Sequence, residues 1–374
     1  MTFLRNTSRL PVGLALLSLA ALVACGGGDG AALPQLSAAT PAGFVGACAD
    51  LAAKLSTLPN TSITASTTVA PGSLMVAGQP VPEHCRVTGS MFQRTSAVDG
   101  KNYAIGFEMR LPLAWNGRFF HQVNGGTDGS VGTATGGVGG GGPLSTALIQ
   151  GFAVISSDAG HNGAQNPTFG LDPQARLDYG YQAVAKIGPM AKSVIQTAYG
   201  KAPDRSYLGG CSNGGRHAMV AAARYGDQYD GILAGDPGTV LPLAAVANMA
   251  GAQAYAGLAT NPADIATGFT QPERALVSAA VLAKCDALDG ATDGMVQDGA
   301  ACQAAFNLVR DVPTCIGARD GTCLSAAQKS AIAPLFSGAK TSAGTLIYAS
   351  FPYDAGLGTN GWGFWKFNAS TALD

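Results

Sequence analysis

Gly209-Gly210-Cys211-Ser212-Asn213-Gly214-Gly215-Arg216 is the stretch on which the reading of this chain turns. Residues 210–214 fit G-x-S-x-G, and their setting matters more than the match. The apolar pair Tyr207-Leu208 precedes them, and a helix-like run from Gly215 to Tyr225 follows. A serine on a sharp strand-to-helix turn has its hydroxyl exposed above a sheet, near the positive end of the next helix. Small neighbours permit the close backbone approach such a turn demands. Ser212 is therefore the candidate nucleophile, and the backbone N–H of Asn213 is one candidate donor to an oxyanion.

Working outward, Ile232-Leu233-Ala234 reads as a buried strand. Upstream, Tyr181, Val184, Ile187, Met190 and Val194 recur at helical spacing within Leu177–Tyr199, with a kink predicted at Pro189. Phe152–Ile155 is an unbroken apolar run, as expected of a strand buried on both faces. Arg118–Val123 is another such run and ends in Asn124-Gly125-Gly126. The stretch from Gly125 to Gly142 is so rich in glycine that it must be loop, and Gly125 or Gly126 is the natural second oxyanion donor. Tyr103–Leu111 alternates as a strand and stops at Pro112, while residues 41–100 read as short strands and loops. Strands and helices in this order predict an α/β class, a parallel sheet with helices on its faces. After Gly238, Ala-rich helical segments alternate with Asp/Gly turns and Cys-bounded loops, which predicts a second domain inserted after the strand ending at Ala234. The boundaries follow: a core over 45–237 and an inserted domain over 238–374.

Composition supports an enzyme rich in loops. Hydrophobic residues make up 47% of the 374 and charged residues only 12%, with 52 glycines. The formal net charge is −1 and no basic run occurs, which excludes nucleic acid as a partner. Residues 1–24 read as an export signal: Arg5 and Arg9 precede an apolar stretch from Leu10 to Val23 that is too short to span a bilayer. The sequence Leu22-Val23-Ala24-Cys25 looks like a bacterial lipobox, with Cys25 as the acylated residue. Residues 25–44 then form a flexible tether. The chain is expected to be exported from a bacterial cell and to meet the membrane only through this lipid anchor.

Setting Cys25 aside leaves Cys48, Cys85, Cys211, Cys285, Cys302, Cys315 and Cys323 in a compartment where disulfides persist. Seven is odd, so at least one lacks an intrachain partner. None has zinc-type spacing with histidine. The four histidines are equally telling. His84, His121 and His161 precede Ser212, and His217 lies on the helix leaving the turn, tethered too closely to swing over the nucleophile. Asp236, at the end of the following strand, is a candidate orienting acid.

These residues, together with Tyr229-Asp230-Gly231-Ile232, Ser157-Asp158-Ala159-Gly160-His161-Asn162-Gly163 and Asp178-Tyr179-Gly180-Tyr181, resemble the tannase and feruloyl esterase family over roughly residues 45 to 374. The Cys-Ser pair is the specific part. The resemblance implies an α/β-hydrolase core with a large inserted lid and hydrolysis of aromatic carboxylic esters. The family also includes enzymes that cleave the mono-ester of terephthalate and ethylene glycol. It implies the pairs Cys48–Cys85, Cys285–Cys302 and Cys315–Cys323, and it leaves Cys211 without the partner that the family places beside the catalytic histidine. It therefore implies a C-terminally truncated chain, with the catalytic acid and histidine expected beyond Asp374. The alternative is a non-catalytic ligand-binding lipoprotein derived from the same fold.

The run Cys285-Asp286-Ala287-Leu288-Asp289-Gly290-Ala291-Thr292-Asp293-Gly294-Met295 concentrates carboxylates around two Asp-Gly turns, the kind of oxygen supply a hard cation takes. By resemblance it is a structural calcium loop, with Asp286, Asp289 and Asp293 as side-chain ligands and backbone oxygens from Ala291 and Met295. The end of the chain is aromatic. Trp362 and Trp365 read either as the wall of a pocket for an aromatic acyl group or as domain core, with open space expected around Gly361 and Gly363.

Overall fold

The computed structural model describes residues 36–138 and 146–368. The signal segment 1–24 and Cys25 lie outside the described residues. The end of the stretch read as a tether does not, and it is held in place. Ala42–Gly43 pairs with Ala114–Trp115, and the Thr40 N–H donates to Asp204 at 2.7 Å. The chain divides into two compact units, Met1–Pro237 and Gly238–Asp374.

The first unit is built on a seven-stranded sheet: β1 (Thr61–Val69), β2 (His84–Thr95), β3 (Asn102–Pro112), β4 (Arg118–Gln122), β5 (Ala153–Ser157), β6 (Arg205–Cys211) and β7 (Gly231–Gly235). The order across the sheet is β7-β6-β4-β5-β3-β2-β1. Strands β4 to β7 run parallel, as expected from the alternation with helices. The other half corrects the expectation of a parallel sheet: β3 is antiparallel to β5, β2 to β3, and β1 to β2. No helix intervenes between β1, β2 and β3, and strands joined by short connections pair antiparallel. These strands are also longer than the short ones read over 41–100; β2 has 12 residues.

Helices α1 (Ala183–Tyr199) and α2 (Asn213–Arg224) flank the parallel half. Val184, Ile187, Ala191, Val194, Ile195 and Ala198 of α1 are buried at i, i+3, i+4 and i+7 spacing, which is why this run is a helix with one core face. Truncating one of the larger members to Ala costs about 2–5 kcal/mol. Gly200 ends α1 at φ 72°, its N–H donating to the Gln196 carbonyl at 3.0 Å. The regular helix does not extend back to Leu177: residues Asp178–Gln182 form a wider π-type turn. Strand β7 differs from its reading as a buried strand. Among the described residues it is an edge strand with only β6 beside it, and Leu233 is 55% exposed.

The second unit is helical, with α3 (Leu241–Ala256), α4 (Gln271–Cys285) and α5 (Ala326–Phe336). Its core gathers Tyr255, Phe269, Val277, Val281, Ile332 and Phe336 with Tyr353 and Leu357. Thr270 and Glu273 close the start of α4 with a reciprocal capping box. No helix among the described residues is long and apolar enough to cross a membrane.

Candidate active site

The register of β4, β6 and β7 brings Gln122, Cys211 and Gly235 to one edge of the sheet: Gly209 lies opposite Gln122, and Cys211 opposite Gly235. Ser212 follows on the turn into α2 with φ 60° and ψ −119°. A non-glycine residue at such angles is strained, and strain of this kind is found where the surroundings over-determine a functional group. The surroundings here are tight. The Ser212 N–H donates to the Gly235 carbonyl at 3.0 Å. A Cβ on Gly210 would stand 2.8 Å from the Gly214 Cα, and one on Gly215 would stand 2.9 Å from the Pro237 Cα while overlapping the Gly235 carbonyl oxygen. The glycines of the motif are there because backbone passes where a side chain would be.

The loop after β4 lies against this turn. A Cβ on Gly125 would be 3.4 Å from the Cys211 carbonyl oxygen and 3.9 Å from the Ser212 Cβ. Gly126, at φ 66°, has open space around it. Asn213, the residue after Ser212, is buried, and its side-chain amide is used at both ends. Its Nδ2 donates to Asp128 Oδ2 at 2.6 Å. Its Oδ1 accepts from Arg216 Nε at 2.6 Å and from the Tyr179 hydroxyl at 3.1 Å. Asp128 and His217 were not singled out as a pair by the sequence, yet they form a buried one, His217 Nε2 lying 2.8 Å from Asp128 Oδ2. With the two 89 positions apart in sequence, only the fold reveals it.

Each of the four imidazoles has its own partner. His84 bonds the Pro82 carbonyl at 2.7 Å and Arg110 at 2.7 Å, and burial pushes its pKa down. His121 bonds the Tyr229 hydroxyl at 2.9 Å, and complete burial lowers its pKa to about 3. His161 bonds Asn166 at 2.9 Å and stacks on Phe169 with ring centroids 3.8 Å apart; burial lowers its pKa as well. His217 is taken by Asp128. Asp236 sits at φ 38° on the turn after β7, exposed, with the Cys211 thiol 3.9 Å from its carboxylate. Cys211 is half-buried and unpaired, while Cys48–Cys85, Cys285–Cys302 and Cys315–Cys323 are disulfides. Near the same edge, burial raises the Asp158 carboxyl to about 7, although the Gly106 and Gly160 N–H groups each donate to it at 2.9 Å.

In the acidic loop of the second unit the three carboxylates accept from the loop's own amides. Asp286 accepts from the N–H groups of Asp293 and Gly294 at 3.1 and 3.0 Å. Asp289 accepts from those of Ala291 and Gln297, both at 3.0 Å, and these bonds hold its pKa below the usual range. Asp293 accepts from Met295 at 3.1 Å. These bonds close the loop on its own amides, and among the described residues no three His, Cys, Asp or Glu side chains are grouped to hold a metal. The two tryptophans also part ways. Trp362 stacks on Phe336 at 5.9 Å and lines a small apolar cavity with Tyr255 and Phe351. Trp365 is 57% exposed. Gly363 has no open space, since Arg274 would lie 3.1 Å from a Cβ there.

The profile of the family described as "Tannase and feruloyl esterase" matches residues 85–372. The chain belongs to the tannase and feruloyl esterase family. Among its relatives, the mono(2-hydroxyethyl) terephthalate hydrolase of Piscinibacter sakaiensis is 41% identical over 320 residues, which cover 78% of this chain and 53% of that protein. A probable feruloyl esterase B of Emericella nidulans is 30% identical over 308 residues, 80% of this chain and 54% of the other. The chain thus spans about half the length of the curated relatives it matches. The crystal structure of feruloyl esterase B from Aspergillus oryzae superposes with a TM-score of 0.64 at 25% identity, covering 81% of this chain and 58% of that one. A tannin acyl hydrolase from Aspergillus niger, with a TM-score of 0.57 at 20% identity, shares the fold. The fold is of the α/β-hydrolase type, as the strand–serine–helix turn, an elbow that lifts Ser212 above the sheet, implies.

Proposed function

We propose that this tannase-family chain carries the nucleophile of a serine esterase acting on aromatic carboxylic esters of the feruloyl, galloyl or terephthaloyl kind. One observation carries the reading: Ser212 is held at a strained backbone angle between β6 and α2, with the Gly125 backbone packed against the turn. The Ser212 oxygen attacks the ester carbonyl, and the carbonyl oxygen takes the negative charge, held by the N–H of Asn213 and an N–H of the Gly125–Gly126 loop. Collapse of the adduct expels the alcohol, which takes the proton from the serine hydroxyl by way of a general base. Water then repeats the sequence and releases the acid. Each of the four imidazoles has another partner and none is hydrogen-bonded to Ser212, so the reading takes the base and its orienting acid from outside these pairs. The relatives, a mono(2-hydroxyethyl) terephthalate hydrolase and a probable feruloyl esterase, support the substrate class.

Export behind the segment 1–24, acylation at Cys25 and a structural calcium at Asp286, Asp289 and Asp293 belong to the same proposal. The loop amides take only one oxygen each of Asp286 and Asp293, which leaves the other oxygen of each for the ion. The reading is tested by hydrolysis of a panel of aryl esters by the full-length enzyme and its Ser212→Ala variant. The variant is expected to lose about 10³–10⁶ in kcat. Turnover that survives Ser212→Ala overturns the reading.

A further inference from the structure

We propose that Asp128 is the positioning residue of the oxyanion site, holding its two donor segments in register through one carboxylate. The proposal rests on the Ser212 reading above. The two donors come from different parts of the chain: the Asn213 N–H from the start of α2, and the Gly125–Gly126 N–H from the loop after β4. Their spacing must match an oxygen that exists only during reaction. Asp128 belongs to that loop, and its N–H lies 3.3 Å from the Gly125 carbonyl. Its carboxylate crosses to the other segment, where Oδ2 accepts from Asn213 Nδ2 at 2.6 Å and from His217 Nε2 at 2.8 Å. The side chain is 1% exposed, so water does not compete for these bonds.

Two further features fit a locator. Asp128 is held at φ 56°, a left-handed angle that a non-glycine residue adopts at a cost. The loop is tied on its far side as well, because the Gly129 N–H donates to the Asp158 carbonyl at 3.2 Å. On the helix side, Arg216 and Tyr179 hold the other end of the Asn213 amide, so its orientation, and that of the N–H beside it, is set by bonds at both ends. His217, on the next turn of α2, is the second anchor point for the carboxylate. This gives the buried His217–Asp128 pair a role that needs no proton transfer.

The test is kinetic and uses the full-length enzyme with an aryl ester. Asp128→Ala is expected to lower kcat about 10- to 100-fold, less than outright loss of a donor, with KM within about twofold. It should weaken an aryl trifluoromethyl ketone, which forms a tetrahedral adduct, by a similar factor. Asp128→Asn keeps one oxygen in place and is expected to restore most of kcat. If Asp128→Ala does not fold, Asn213→Ala breaks the same bond from the other side and keeps its own backbone N–H; the same kcat loss is expected. Unchanged kcat and ketone affinity, with only melting temperature or KM moved, would overturn the proposal. An active Ser212→Ala sinks the nucleophile reading itself. An inactive Ser212→Ala beside a fully active Asp128→Ala and Asn213→Ala sinks only the role of Asp128.

Discussion

Glycine crowds both the turn after β6 and the acidic loop after α4, but for different physical reasons. At the first, Gly210, Gly214 and Gly215 leave room for backbone that passes within van der Waals contact. At the second, Gly290 and Gly294 have open space and sit at φ 93° and 80°, where only the backbone angle asks for glycine. The polar groups differ in the same way. Asn213, Asp128 and His217 are buried and pinned across long stretches of chain, whereas Asp286 and Asp289 are half-buried, Asp293 is exposed, and all three bond to amides within eight residues. A buried polar network fixes one geometry and is costly to break, while an exposed loop closes locally and remains adjustable.

The contrast can be broken by substitution. Gly215→Ala forces a methyl group into the Gly235 carbonyl and is expected to cost about 3 kcal/mol or more. In a chain of this size that is a fall in melting temperature of roughly 4 °C. A melt like that of the wild type would mean that the turn is far looser than described. A second test probes the buried edge by pH. Asp158 has its folded pKa raised to about 7 from 3.8, so between these values the folded state binds more protons than the unfolded one. Stability from this group is therefore full below about pH 4 and falls as pH rises toward 7. Asp158→Asn should remove that fall, making the variant relatively more stable at pH 7 than at pH 4. An unchanged difference between variant and wild type across this range would refute the shift.

The exposed loop answers smaller questions. Calcium in large excess over its Kd is expected to add about 2 kcal/mol, roughly 3 °C, and a chelator to remove the gain. A melt indifferent to both means that the amide-closed loop is the whole structure. Gly290→Ala asks only for a left-handed alanine and should cost about 1 kcal/mol. A loss as large as that of Gly215→Ala would erase the distinction between the two kinds of glycine.

The same contrast explains what could be read from sequence. The elbow was legible because its signal is local: an apolar strand, small residues around Ser212, then a helix. The parallel half of the sheet followed from strands alternating with helices. The antiparallel half was missed because an alternating strand such as Tyr103–Leu111 does not declare its partner's direction. The Asp128–His217 pair was invisible, since neither residue stands in a motif and the bond is purely tertiary. Open space at Gly363 was inferred from glycine alone, and Arg274, distant in sequence, fills it. In the acidic loop, composition showed the carboxylates but could not show that their oxygens turn to backbone amides.

The central claim is that Ser212 carries the covalent step. The most direct measurement is labelling of the full-length enzyme with a fluorophosphonate, followed by intact mass and peptide mapping. The account predicts one adduct per chain on the peptide carrying Ser212, activity lost in proportion to labelling, and no adduct in Ser212→Ala. Full labelling at another residue, or activity that persists when Ser212 is fully labelled, would contradict it.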